Sequence, residues 1–360
     1  FPYIKIEQGI DNILTDVFNY SPDYIIINCS TQKILNQYYN VELSNRSNFS
    51  ENWLLSFQSI ISLINNNYKG QIIINNLMEI DDNVFGNFAN KIKQSFKYQI
   101  RNINLKLMEL SQNISNLHIA DHLTLQYQFG NKVINQPKFH YSNDIAYNID
   151  FIPTIADSFL NIITVMNGHF NKCLILDLDN TLWGGIIGDV GIENIEIGSL
   201  GIGKAYSDIQ RWTLELKQRG IILAICSKNE EEIAKKPFLN HPEMILKLDD
   251  ISIFIANRIN KAENIQSIKE TLNISYDSMV FIDDNEHERK IVSECHPDIT
   301  IPNLPSDPSN YLDYLRSLNL FETVSTTEID NSRHEQYQKE YQRVKEKLVF
   351  KNKTEYLKNL

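Results

Sequence analysis

The chain has no long basic run and no alternation of basic with aromatic residues, and its formal net charge is -11. A polyphosphate backbone would be repelled on average, so no nucleic-acid partner is expected. No stretch approaches the roughly 20 apolar residues of a membrane helix, so no membrane partner is expected either. The start of the chain lacks the charged-then-apolar pattern of a secretory signal. Cysteine is scarce. Cys29, Cys173, Cys226 and Cys295 show no CxxC spacing, and no His/Cys set suits zinc. Reduced thiols and a cytoplasmic location are the expectation. Triplets such as Asn113-Ile114-Ser115 read as chance in a chain this rich in Asn. Internal repeats and low-complexity linkers are missing too. What remains is ordinary for a globular protein: 42% hydrophobic and 22% charged residues over 360 positions, room for two domains.

Two α/β blocks are visible. In the first, Tyr24-Ile25-Ile26-Ile27 and Gln71-Ile72-Ile73-Ile74 have the β-branched look of buried parallel strands, and Leu117-His118-Ile119-Ala120 is a third candidate. Helical patterns cover 52–65, roughly 84–110, and 151–167, where Ile152, Ile155, Ala156, Phe159, Ile162 and Ile163 share a face. The polar tract 128–148, with Pro137, reads as loop. The second block opens with Cys173-Leu174-Ile175-Leu176. It continues with a helix from Ala205 to Leu216, a strand from Ile221 to Cys226, a helix from Ala262 to Leu272 and a strand from Met279 to Ile282. The expected domains are 1–167 and 168–330, followed by a charged helical tail, 331–360, leading to a missing segment; both ends suggest a piece of a larger protein.

The chemistry is concentrated in Asp177-Leu178-Asp179-Asn180-Thr181. Residues i and i+2 of a strand point the same way, and open α/β sheets bind ligands at the carboxyl ends of their strands. Two carboxylates there repel each other, and a divalent cation relieves the repulsion. One can act as a nucleophile while the other shuttles a proton. The bland alternative is a solvated Asp-rich turn. Ser227 ends the next strand, Lys261 precedes a helix, and Asp283-Asp284 ends the last strand. A hydroxyl, a lysine at a helix start and hard oxygen ligands suited to Mg²⁺ are each weak signals alone, being equally a cap, a solvated cation and a turn. Their order is what informs.

That order resembles the haloacid-dehalogenase superfamily of phosphatases and phosphotransferases. The resemblance implies Asp177 as nucleophile and Asp179 as general acid/base, with Ser227 and Lys261 holding the phosphoryl group. It also implies Mg²⁺ on Asp177, Asp179, through its carbonyl, and Asp283 with Asp284. A closer likeness runs from about 145 to 335: KCLILDLDNTLWGGIIGDV at 172–190, LAICSKNEEEIA at 223–234, HPEMIL at 241–246, NRINKAENI at 257–265 and VFIDDNEHER at 280–289 resemble the FkbH-like family. The implied fold is a Rossmann-like haloacid-dehalogenase core without a large cap, after a smaller α/β domain related to SGNH hydrolases. In that first domain no Gly-Asp-Ser nucleophile motif is found, and Asp121-His122 lacks the spacing of a dyad. It is expected to supply walls or a docking surface.

The implied activity is that of a glyceryl transferase/phosphatase of polyketide biosynthesis. Such an enzyme takes D-1,3-bisphosphoglycerate, removes phosphate and loads the three-carbon acyl unit onto the phosphopantetheine of an acyl carrier protein. Arg258 stands where relatives often have an aromatic residue, which leaves lactyl open beside glyceryl. Asn180, Trp183, Gly184 and Asn229 complete the expected substrate- and phosphate-binding set, with Trp183-Gly184-Gly185 as a flap whose glycines admit a close backbone approach. Cys226, beside Ser227, is the expected acyl-carrying thiolate, against the reading of a buried apolar residue. His241, ahead of Pro242, could orient a phosphate or cap a helix end. Two competing readings are a plain phosphatase of a small phosphate ester or phosphoprotein, and a non-catalytic module docking a carrier protein.

Overall fold

The computed structural model describes residues 17–135 and 147–325, so the charged tail 331–360 lies outside the described residues. The chain divides into two compact units between Ile163 and Thr164.

The first unit is built on three parallel strands, β1 (Tyr24–Ile27), β2 (Gln71–Asn75) and β3 (Leu117–Ala120), in the order β1-β2-β3. Their β-branched residues are the reason for the sheet: Ile72, Ile73 and Ile74 are completely buried. Helices α1 (Thr31–Tyr39), α2 (Phe49–Asn67) and α3 (Phe96–Asn113) connect the strands. The expected start of α3 near residue 84 is corrected. Ser95 caps the helix by accepting from the Tyr98 N–H, and Gly86–Lys91 forms a separate 3₁₀ turn. The expected loop from 128 is corrected as well. Helix α4 (His122–Phe129) runs into it, and Asn131–Ile134 forms a further helical turn, α5, with Gly130 at φ 76 between them. Residues 136–146 of that tract lie outside the described residues.

Helix α6 (Ile152–Met166) follows. The expectation that no segment could span a membrane also needs correction. Ile149–Met166 is long and apolar enough by length and composition, with a mean hydropathy of 1.4. Its sequence nevertheless holds Asp150 and Asp157, and Ile155, Phe159 and Ile162 are buried. Phe159 packs edge-on against His122, and Phe151 against Phe129. The buried stripe is narrower than the spacing predicts, because Ile152 and Ala156 of the expected face are exposed.

The second unit holds four parallel strands, β4 (Cys173–Leu176), β5 (Ile222–Ser227), β6 (Ile253–Ala256) and β7 (Met279–Ile282), in the order β6-β5-β4-β7. Strand β6 was not read from the sequence. Connections from β4 lead to one side through β5 and β6, then return to place β7 on the other side. The carboxyl end of β4 therefore sits at the point where strand order reverses, the usual crevice of such sheets. Alternation divides the strand residues between two cores. Leu174, Leu176, Leu223, Ile225, Val280 and Ile282 enter one, and Cys173, Ile175, Ala224, Cys226, Met279 and Phe281 the other. Between Thr181 and Ser227 the described residues hold only the short α7 (Ile187–Val190) and α8 (Gly203–Gln218), so no large cap is inserted there. Helices α9 (Glu231–Asn240), α10 (Lys261–Leu272), α11 (Glu286–Cys295) and α12 (Tyr311–Ser317) complete the unit.

At the carboxyl end of β3, Asp121 is a helix cap, accepting from the Thr124 N–H at 3.0 Å, rather than half of a dyad. His122 is fully buried, with Nε2 3.0 Å from Ser158 Oγ and Nδ1 3.4 Å from the Tyr147 hydroxyl. Burial lowers its pKa from 6.5 to about 4, against a smaller opposing pull from Asp121. The unfolded chain takes up this proton first. Stability should therefore be full above pH 6.5 and fall as the pH drops toward 4, by about 3 kcal/mol. Denaturant melts of the wild type and His122→Gln across this range check it, since the variant should lack that part of the slope. Identical slopes would contradict the assignment.

Candidate active site

The parallel register sets the site. Leu176 pairs with Ile282, so the next residues, Asp177 and Asp283, stand side by side where β4 and β7 end. Asp177 donates its N–H to the Ile282 carbonyl at 3.0 Å. Both carboxylates are buried, which would be prohibitive without a counter-charge. Lys261 provides it. As the first residue of α10, positioned by the Asn260 cap on the Ala262 N–H, it places Nζ 3.0 Å from Asp177 Oδ1 and 2.6 Å from Asp283 Oδ2. Asp283 Oδ1 accepts from the Asn285 N–H at 2.8 Å. Asp177, Asp283 and Asp284 offer oxygens all within 4.8 Å of one another, a group able to hold a metal ion.

Three carboxylates face one ammonium, and the electrostatics record the surplus. Burial pushes Asp177 up to about 7, with Lys261 opposing the rise and Asp283 adding to it. Asp284 is raised by burial and by Asp283, against Lys261 and a hydrogen bond from Asn180. Burial alone would lower the Lys261 pKa, but Asp177 and Asp283 hold it above its ordinary value. The ammonium therefore stays charged.

Asp179 is held by three donors. Its Oδ1 accepts from the Trp183 indole at 2.9 Å and from the Ile187 N–H at 3.1 Å, and its Oδ2 from Asn229 Nδ2 at 2.8 Å. These bonds revise several expectations. Trp183 is fully buried and edge-on to Phe238, so it positions Asp179 instead of touching substrate. Asn229 bridges Asp179 and Ser227, donating to Ser227 Oγ from Nδ2 at 3.3 Å. The Asp179 carboxylate lies outside the metal-holding group, as befits a residue expected to reach the metal through its carbonyl. Gly184 serves packing: a Cβ there would lie 2.6 Å from Glu196 Oε2 and 2.9 Å from Tyr206. Asn180, at φ 53, accepts from the Gly185 N–H at 2.9 Å and donates to Asp284, tying the flap to the acidic group.

Cys226 does not fit an acyl-carrying role. It lies beside Asp177 in register, but the start of α10 covers it. The thiol is fully buried and points at the Lys261 carbonyl, 3.8 Å away. Burial raises its pKa to about 12, so a thiolate is strongly disfavoured. His241 accepts from the Glu243 N–H within its own turn. Arg258 is 81% exposed and 3.7 Å from Glu230.

One positioning residue was missed: Arg289. Arg289 is buried, and its guanidinium donates to the carbonyls of Asp283 at 2.8 Å and Asp284 at 2.7 Å. The available signal was an arginine one turn into a helix capped by Asn285, placed to reach back to the loop before it.

A Rossmann-like sheet with this constellation at its switch point defines a phosphatase-type domain of the haloacid-dehalogenase class. Comparison with known proteins agrees. Residues 2–164 match the family described as FkbH, N-terminal domain. The N-terminal part of the protein BF1531 from Bacteroides fragilis, containing a phosphatase domain and crystallised in complex with Mg, is 44% identical. The match covers 90% of this chain and 86% of that one, with a TM-score of 0.86. A haloacid-dehalogenase family enzyme from Bacteroides thetaiotaomicron matches at 15% identity over 38% of this chain and 95% of its own, with a TM-score of 0.25. A superfamily hydrolase of subfamily IA from Geobacter sulfurreducens matches at 12% over 40% and 96%, with a TM-score of 0.27. The last two scores are too low to carry an argument. No curated protein matches the chain. The chain belongs to the FkbH-like family of the haloacid-dehalogenase superfamily.

Arg289→Met would strand the buried Asp283 carbonyl and the part-buried Asp284 carbonyl, at roughly 1–3 kcal/mol each. The expected loss is about 2–5 kcal/mol, read as a lower denaturant midpoint. An unchanged midpoint would show that the Asp283-Asp284 loop is held by other means.

Proposed function

We propose that the chain is a Mg²⁺-dependent phosphatase that releases phosphate from D-1,3-bisphosphoglycerate and loads the three-carbon unit, glyceryl or lactyl, onto an acyl carrier protein. The observation that carries the phosphatase part is Lys261 clamped between Asp177 and Asp283 at the end of β4. Such a site offers a carboxylate nucleophile next to a fixed cation. Mg²⁺ fits the residues present: Asp177, Asp283 and Asp284 present hard oxygens within 4.8 Å, and their mutual repulsion calls for a cation. Bound there, the ion neutralises charge on the phosphoryl oxygens.

The protein's own part proceeds in two displacements. An Asp177 carboxylate oxygen attacks phosphorus as the bond to the leaving oxygen breaks, and Asp179 protonates that oxygen. Asp179 then takes a proton from water, which attacks the aspartyl phosphate, releasing phosphate and restoring Asp177. The three donors on Asp179 fix its direction through both steps. Ser227 and Lys261 hold the phosphoryl oxygens.

The three-carbon substrate and the carrier protein rest on family membership. With Cys226 sealed, the acyl unit goes directly to the carrier: its phosphopantetheine thiolate attacks the acyl carbon, the carbon–oxygen bond to the 1-phosphate breaks, and inorganic phosphate leaves, while Asp177 acts on the remaining phosphate ester. A second reading, a plain phosphatase of a small ester, is favoured by one observation. Burial raises the thiols of Cys29, Cys173 and Cys226 alike, which leaves none of these three suited to carrying an acyl group.

Asp177→Asn is expected to lose about a thousandfold or more in phosphate release, some 4 kcal/mol of barrier lowering. Retention of a tenth of the activity would rule out the nucleophile. Intact mass spectrometry of a carrier protein incubated with enzyme, Mg²⁺ and D-1,3-bisphosphoglycerate tests the acyl step. Cys226→Ala is expected to load the carrier like the wild type. An unmodified carrier alongside rapid phosphate release would select the plain phosphatase.

A further inference from the structure

Lys228 and Glu288 stand outside the machinery above. Lys228 follows Ser227, the last residue of β5, and Glu288 lies in the first turn of α11, just after β7. Their side chains meet at 2.5 Å. In the strand order β6-β5-β4-β7, strand β4 runs between these two strands. An ion pair joining the end of β5 to the helix after β7 therefore spans the position at which β4 ends in Asp177. Glu288 is also among the charges that raise the Cys226 thiol, which itself lies against the Lys261 carbonyl.

The two partners differ in exposure. The Glu288 side chain is 8% exposed, while that of Lys228 is 46% exposed. The contrast with Lys261 is sharper. Its side chain is 3% exposed, and its ammonium is shared between two carboxylates. The Lys228 ammonium has one carboxylate and an open side. Glu288 Oε2 is buried and has no hydrogen-bond partner among the described residues. A buried carboxylate oxygen without a donor is costly, and an ordered water would satisfy it. A tethered cation with a free side is a binding arrangement for a ligand carrying an anionic group.

We propose that Lys228, positioned by Glu288, is the residue that reads a second negative group of the substrate, apart from the phosphoryl group handled by Asp177 and Lys261. The preferred substrates are then phosphorylated hydroxy acids or bisphosphates, and simple phosphomonoesters are poorer ones. This rests on the phosphatase reading and deepens it. Lys228 acts as a binding residue, and Glu288 as a positioning residue that acts through it.

The test uses a matched pair of esters that differ by one carboxylate, 3-phosphoglycerate and glycerol 3-phosphate. In the wild type, kcat/KM is expected to favour 3-phosphoglycerate. In Lys228→Met, the ratio between the two substrates should fall about tenfold or more, the scale of losing one partner of a shielded charge pair. Lys228→Arg should restore most of the ratio. Glu288→Gln should raise KM for 3-phosphoglycerate with kcat little changed, because the ammonium remains but is no longer held. A ratio unaltered by Lys228→Met, or equal losses on both esters, overturns the proposal. Should the wild type hydrolyse neither ester, the phosphatase reading fails separately. Calorimetric titration of the wild type and Lys228→Met with the two esters then still decides: equal weakening for both, or for neither, overturns the role of Lys228.

Discussion

The second unit depends on one buried ammonium. Parallel register forces Asp177 and Asp283 together at the ends of β4 and β7, and the fold around them buries both. Two adjacent buried carboxylates are tolerable only if a charge of opposite sign is built in, and Lys261 is delivered by the first turn of α10 to both at once. Asp284 adds a third carboxylate that this lysine cannot neutralise. The remaining excess of negative charge makes the site receptive to a divalent cation, and the lysine keeps one end of Asp177 fixed.

Around this centre, most neighbouring residues position others. Arg289 ties down the carbonyls of Asp283 and Asp284, and Asn180 links Asp284 to the flap at Gly185. Trp183, Ile187 and Asn229 fix Asp179. Gln210 supports the turn after Asp177 by donating to the Leu182 carbonyl at 2.7 Å. A reaction that proceeds mainly by positioning and charge stabilisation is served by such bracing.

Much of this was legible in the sequence because strands that end in carboxylates are short apolar runs with an abrupt change of character. Asp177, Lys261 and Asp283 could be placed at strand ends and a helix start from that pattern alone, and the structure joins them. Strand β6, Ile253-Phe254-Ile255-Ala256, escaped because it is a short edge strand that carries none of the carboxylates marking the ends of β4 and β7. The loop expected from residue 128 failed because Gly130 interrupts a helix without ending helical structure, a choice that polar composition does not reveal. Cys226 was misplaced for a different reason. Adjacency to Ser227 puts it near the site, and nothing local says that the start of α10, 35 residues on, covers the sulfur. An aromatic residue next to glycines reads as a flap, yet the Trp183 indole turns inward because Asp179 offers its N–H an acceptor. Lys228 and Glu288 are 60 residues apart, and only strand order brings them together.

The account stands or falls on Asp177 as the group that carries the phosphoryl unit. The direct measurement is peptide mass spectrometry of the Asp179→Asn enzyme, quenched in acid during turnover of a phosphate ester with Mg²⁺. Losing the general base slows hydrolysis of the intermediate, so one phosphoryl group should be found, and found on Asp177. Phosphate release with no phosphorylated peptide at any time, or with the label on another residue, would contradict the mechanism.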